Sequence, residues 1–160
     1  VQQMMTLRGG VEVILGLTYD EQFGPVLLFG SGGKYVEVYK DKALALPPLN
    51  ATLAERLLEQ THVYQILKGV RGEQAADIQG LIATIVRFSQ MVLNHPEIRE
   101  IDINPLWVDG TQQVALDARV LLHPPGATIR KSAIRRYPQK YVEEVVLKDG
   151  YRIRVRPIRP

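Results

Sequence analysis

The feature that most constrains this chain is one long helical period set between two blocks of β patterning. From about Glu73 to Asn94, the apolar residues Ile78, Leu81, Ile82, Ile85, Val86, Met91 and Val92 recur at helical spacing, and His95-Pro96 stops the run. Ahead of it, Val11–Thr18 is rich in β-branched residues, and Val26–Phe29 is a short apolar run broken by Gly30-Ser31-Gly32-Gly33. Tyr35–Tyr39 alternates apolar and polar, and Ala43–Leu46 is closed by Pro47-Pro48. A shorter helix carrying Leu53, Leu57 and Leu58 has Asn50 as its N-cap. Behind the long helix, Ile98–Val108 and Val114–Leu122 are joined by Asp109-Gly110, a strong hairpin signal. Strands, then helices, then strands predict an α+β fold: a mainly antiparallel sheet packed by helices, not a doubly wound parallel sheet.

His123-Pro124-Pro125-Gly126 marks a boundary, so residues 1–122 form one unit and residues 123–160 a linker plus the first strands of a following domain. In that tail, Val145–Leu147 and Tyr151–Val155 flank Lys148-Asp149-Gly150, a second hairpin too small to fold alone. Both ends of the chain, Val1-Gln2-Gln3-Met4 and Arg156-Pro157-Ile158-Arg159-Pro160, read as cuts within a longer protein.

The net charge of +3 is concentrated in the tail. From Arg130 onward, ten lysines and arginines face only Glu143, Glu144 and Asp149, so the rest of the chain is slightly acidic. The tail's only aromatics, Tyr137, Tyr141 and Tyr151, do not interleave with the basic residues as in a single-strand binder, which argues against a nucleic-acid partner. No apolar run approaches the ~20 residues of a membrane helix, which argues against a membrane partner. The absence of cysteine excludes disulfides, thiolate metal sites and cysteine nucleophiles, and fits a cytoplasmic protein.

The chemistry concentrates at Glu100-Ile101-Asp102-Ile103-Asn104-Pro105-Leu106 and Leu116-Asp117-Ala118-Arg119. Residues two apart on a strand share a face, so Asp102 and Asn104 point the same way, and the hairpin returns Asp117 beside them. Ile101, Ile103 and Leu116 then face the core. Two carboxylates and an amide oxygen suit magnesium, which completes its shell from water and phosphate. An ordinary polar sheet face with an Asn-Pro turn accounts for the same spacing. Gly32 and Gly33 would let the backbone approach phosphates closely, but a glycine-rich hairpin turn explains them too, and no Walker lysine follows. Glu12 reads on spacing alone as a solvated strand residue. Arg71, in Lys68-Gly69-Val70-Arg71-Gly72, could meet an anion or solvent. His62, His95 and His123 follow no ligand spacing, and no serine, histidine and aspartate grouping suggests a hydrolase.

Six motifs occur in order: Glu-Val-Ile-Leu-Gly at 12–16, Phe-Gly-Pro-Val at 23–26, Phe-Gly-Ser-Gly-Gly at 29–33, Lys-Gly-Val-Arg-Gly at 68–72, Asp-Ile-Asn-Pro-Leu at 102–106 and Leu-Asp-Ala-Arg at 116–119. Together they resemble the C-terminal lobe of the ATP-grasp domain of ADP-forming acyl-CoA synthetases, relatives of the succinyl-CoA synthetase β subunit. The resemblance implies that Asn104 and Asp117 bind magnesium. Asp102 would approach a phosphohistidine, although succinyl-CoA synthetases have glutamate there. Glu12 would contact ATP or ADP, and Gln2 and Met4 would lie where the hinge meets the adenine. The implied reaction converts acyl-CoA, ADP and phosphate into acid, ATP and CoA through a phosphohistidine.

The resemblance also names partners: an N-terminal ATP-grasp lobe and CoA-binding domains, without which the chain should be inactive. Exposed surface left by that lobe leads us to expect self-association into a homo-oligomer. Tyr137-Pro138, Leu147-Lys148-Asp149-Gly150 and Arg156–Pro160 are similar to the junction with a fused GNAT acetyltransferase domain. Such a fusion would make the chain a regulatory module that senses nucleotide or acyl-CoA.

Overall fold

Residues 9–33, 41–70, 72, 74–134 and 142–156 are described in the computed structural model. Alternation along β1 (Val11–Asp20) buries Val13, Leu15 and Leu17 and leaves Glu12 and Thr18 exposed. A turn at residues 21–23 leads into β2 (Gly24–Ser31), which continues through the expected break at Gly30 because Ser31 still pairs with Val13. β3 (Lys42–Ala45) adds to the far side of β2. The expected strand at Tyr35–Tyr39 lies outside the described residues.

Three helices follow among the described residues: α1 (Ala51–Glu59), α2 (Val63–Leu67) and α3 (Ile78–Asn94). Asn50 caps α1 as expected, its side chain accepting the Leu53 N–H at 2.9 Å. α3 starts later than the apolar period suggests, because Asp77 caps it by accepting the Gly80 N–H at 2.9 Å. Leu57 and Leu58 of α1 join Leu81, Ile85 and Val92 of α3 in one core with Leu15, Leu27, Phe29 and Ile101 of the sheet.

β4 (Ile98–Val108) runs beside β1, and the strand order is β3-β2-β1-β4-β5, with β6 also on β4. Every described pairing in this sheet is antiparallel. The strand expected at Val114–Leu122 is instead two, β5 (Gln113–Ala115) and β6 (Ala118–Leu122). The interruption lies opposite Asn104-Pro105, a cis peptide, where proline has no N–H for the ladder. There, the Leu116 N–H donates to the Pro105 carbonyl at 3.0 Å, and the Asn104 N–H donates to the Asp117 carbonyl at 3.2 Å. β1 shifts register beside the same place, between Val13 and Leu15. Ile101 is buried as expected, whereas Ile103 and Leu116 are half-buried.

After β6 the chain folds back across the sheet. The Ser132 hydroxyl donates to the Pro47 carbonyl at 2.6 Å, the Ala133 N–H donates to the Phe23 carbonyl at 3.1 Å, and the Arg130 N–H donates to the Tyr19 hydroxyl. The His123 ring meets Tyr19 edge-on, with centroids 4.7 Å apart. The second expected hairpin is present as a separate two-stranded sheet, β7 (Glu143–Val146) and β8 (Arg152–Val155), exposed throughout. Among the described residues, no helix is long and apolar enough to cross a membrane.

Candidate functional site

The helices cover one face of the main sheet, and the opposite face is where the polar side chains of β1, β4 and β6 collect. On β1 these positions are Glu12, Ile14, Gly16 and Thr18, alternating with the buried Val13, Leu15 and Leu17. Gly16 lies opposite Asp102 on β4, and Asp102 lies opposite Arg119 on β6. Ile103 faces Ala118 one step along, and past that pair the Asn104 N–H donates to the Asp117 carbonyl at 3.2 Å. Directly opposite residues of an antiparallel pair share a face. Asp102 and Arg119 therefore share the open surface, with Asn104 and Asp117 next along the two segments. Asp102 and Asn104 are half-buried and Asp117 is exposed.

The glycine-rich segment folds onto this stretch. The Gly32 N–H donates to the Glu12 carbonyl at 2.9 Å, and the Gly33 N–H donates to the Asn104 Oδ1 at 3.0 Å. The close approach requires glycine: a Cβ on Gly32 would lie 2.6 Å from the Val13 backbone, and one on Gly33 would strike the Glu12 carboxylate. Gly33 also has φ of +76°. Both amide hydrogens are thus engaged within the chain, and Glu12 sits beside the loop. Gln2, Met4 and Arg71 lie outside the described residues.

Among the described residues, no group of three or more His, Cys, Asp or Glu side chains is arranged to hold a metal. The oxygen donors along this stretch are the Asn104 amide and the Asp102 and Asp117 carboxylates. Gly33 uses one lone pair of the Asn104 oxygen and leaves the other, which orients the amide as an outer-shell partner orients a ligand. This hard-oxygen set fits magnesium with phosphate oxygens and water completing the shell.

Two further groups on or behind this face escaped sequence reading. Arg119 is held by Glu100 at 2.5 Å, and its position two residues from Asp117 is the period-two signal that could have revealed it. Asp41 is buried beneath the glycine-rich segment, yet its place between Lys40 and Lys42 reads as a solvated turn. The histidines lie elsewhere: the His62 main-chain N–H donates to Asp41 at the start of α2, the His95 Nδ1 pairs with Glu97 at 3.0 Å, and the His123 ring packs on Tyr19.

Comparison with known proteins finds relatives of the same fold. A family model described as an ATP-grasp domain matches residues 1–122. The ADP-forming acetate–CoA ligase I of Archaeoglobus fulgidus is 40% identical over 122 residues, covering 76% of this chain and 18% of the relative. The β subunit of ADP-forming acetate–CoA ligase I of Pyrococcus furiosus is 41% identical over 113 residues, covering 71% of this chain and 49% of the relative. The chain thus spans between about a fifth and a half of the length of these relatives. Among solved structures, acetyl-coenzyme A synthetase 1 of Candidatus Korarchaeum cryptofilum, in complex with coenzyme A and Mg-AMPPCP, superposes with a TM-score of 0.70 at 34% identity. That match covers 73% of this chain and 55% of the other. A family match over residues 1–122, three quarters of the chain, on an antiparallel sheet packed by helices, shows that the chain belongs to the ATP-grasp domain family.

Proposed function

We propose that this chain is the magnesium- and nucleotide-binding lobe of an ADP-forming acyl-CoA synthetase, which converts acyl-CoA, ADP and phosphate into acid, ATP and CoA through a phosphohistidine. The observation that carries this reading is the backbone bond that sets Asn104 beside Asp117, with Gly33 fixing the Asn104 amide. The Asn104 Oδ1 and the Asp117 carboxylate would hold magnesium, whose chemistry is to neutralise charge on phosphate oxygens. Asp102, on the same face two residues from Asn104, orients the incoming phosphohistidine. Glu12, beside Gly33, lines the nucleotide's place on β1.

The related synthetase solved with coenzyme A and Mg-AMPPCP supports the ligand classes. His62 stands at the start of α2, His95 at the end of α3 beside Glu97, and His123 after β6 against Tyr19, so the phosphohistidine comes from elsewhere in the parent protein. Alone, the lobe binds without turning over. Its partners are the N-terminal lobe and the CoA-binding domains, as the partial coverage of the relatives suggests. Phe23 and Leu44, exposed by 47% and 56%, belong to the surface that such a partner would cover.

A second reading, a regulatory module fused to a GNAT acetyltransferase domain, is favoured by one observation. The β7–β8 hairpin lies wholly beyond the region matched by the family model.

The test is calorimetric titration of ADP and ATP, with and without magnesium, into this chain and into Asp117→Ala. Magnesium-dependent binding that disappears in the variant is expected. Binding that survives the substitution would remove Asp117 from the metal site. Acyl-CoA synthesis by the full parent, lost on adding Asp117→Ala, separates the catalytic reading from the regulatory one.

A further inference from the structure

Asp41 retains only 8% exposure, although lysines stand on both sides of it in the sequence. Each oxygen of its carboxylate accepts a main-chain donor: Oδ1 accepts the His62 N–H at 2.7 Å, and Oδ2 accepts the Val63 N–H at 2.8 Å. Its own carbonyl accepts the Ser31 N–H at 3.0 Å. Gly30 lies so close to that carbonyl that any Cβ there would strike it. A buried carboxylate is tolerated only when such donors satisfy it, so its position is tightly defined.

These contacts form a chain of constraint. The start of α2 fixes Asp41, Asp41 fixes Ser31, and two residues later Gly33 holds the Asn104 oxygen. We propose that Asp41 is a positioning residue for the nucleotide site: it anchors the glycine-rich segment from behind so that Gly33 can orient Asn104. The inference deepens the magnesium–nucleotide reading of that site and rests on it. Removing the carboxylate would leave the buried Val63 N–H and the neighbouring His62 N–H without their acceptor, and the segment would follow Asp41 out of register.

The test compares Asp41→Ala and Asp41→Asn with Ser89→Ala in this chain. Ser89 is an apt control, because it is fully buried and accepts the Leu49 N–H at 2.8 Å on the helical side of the sheet. Magnesium-ADP is titrated at a temperature where circular dichroism shows all variants folded. Asp41→Ala should weaken binding about tenfold, equivalent to ~1.4 kcal/mol. Asp41→Asn keeps one acceptor and should fall between, while Ser89→Ala should lower the melting temperature and keep wild-type affinity.

Amide hydrogen exchange at Ser31, Gly32 and Gly33, read without nucleotide, should accelerate in both Asp41 variants and not in Ser89→Ala. Wild-type affinity in the folded Asp41 variants, or unchanged exchange at the three amides, overturns the proposal. If Asp41→Ala does not fold, Asp41→Asn decides by the same two readouts. If the wild-type chain binds no nucleotide, the functional reading fails, and the exchange measurement still decides the anchoring.

Discussion

The Gly33 N–H and the Asn104 side-chain oxygen meet at 3.0 Å although 71 positions separate them. This single bond ties the end of the β2 segment to the middle of β4, and so ties the backbone closest to Glu12 to the central oxygen of the Asp102, Asn104 and Asp117 set. The conformation of the loop and the aim of the amide become one variable.

Gly33→Ala should therefore affect stability and site together. At φ of +76° a side chain costs ~1–2 kcal/mol relative to glycine. The added Cβ also displaces the Glu12 carboxylate, a flexible group that can swing aside. We expect destabilisation of about 1 kcal/mol in a urea melt, with weaker magnesium-dependent ADP binding in the folded variant. Unchanged stability and affinity together would show that this loop conformation is not required.

Gly10→Ala probes the other end of the same face. Gly10 lies under the indole of Trp107, where a Cβ would overlap the ring. Trp107 is 7% exposed and is the only tryptophan, so its fluorescence reports this contact alone. Overpacking against a rigid ring should cost about 1–3 kcal/mol and shift the native emission. A variant with wild-type emission and midpoint would contradict the packing.

How far the sequence reveals all this depends on whether the determining contacts are local. Asn50 is legible as a cap because its acceptor and the Leu53 N–H are three residues apart. Asp102 and Asn104 are legible as neighbours because a strand has a period of two. By contrast, α2 escapes sequence reading because the Asp41 carboxylate that caps it lies 21 and 22 residues upstream of His62 and Val63. The split of β5 from β6 escapes for a related reason, since the ladder fails opposite Pro105, on another strand. The Gly33–Asn104 bond leaves no periodic trace at all. Composition shows that glycines are available there, and only the fold shows what they touch.

Asp109 carries a pH dependence with a definite sign. Its carboxyl lies well below the usual carboxylate value of 3.8, at about 2, chiefly because the Thr111 N–H donates to it, with the Gln112 N–H next. A depressed folded pKa means that the contribution to stability is complete above 3.8 and disappears as the pH falls through about 2. The Thr111 and Gln112 amide resonances should titrate with a midpoint near 2. Asp109→Asn should flatten the stability profile across that interval. A midpoint at 3.8 would mean that the turn does not hold the carboxylate.

Residues 123–134 lie beyond the region matched by the family model, yet they pack on the lobe. The bonds from Arg130 to Tyr19, Ser132 to Pro47 and Ala133 to Phe23 fasten this strap across the β1–β2 turn and the end of β3. At ~1 kcal/mol net for each hydrogen bond, the strap should stabilise the lobe by about 2–3 kcal/mol. The β7–β8 hairpin, exposed throughout, should add little to the lobe. A chain ending at Ile134 should therefore melt close to the full chain, while one ending at Leu122 should melt several degrees lower. Equal melting temperatures for the two truncations would show that the strap lies on the lobe without stabilising it. A large loss on removing only the hairpin would show instead that residues 135–160 are part of the same folding unit.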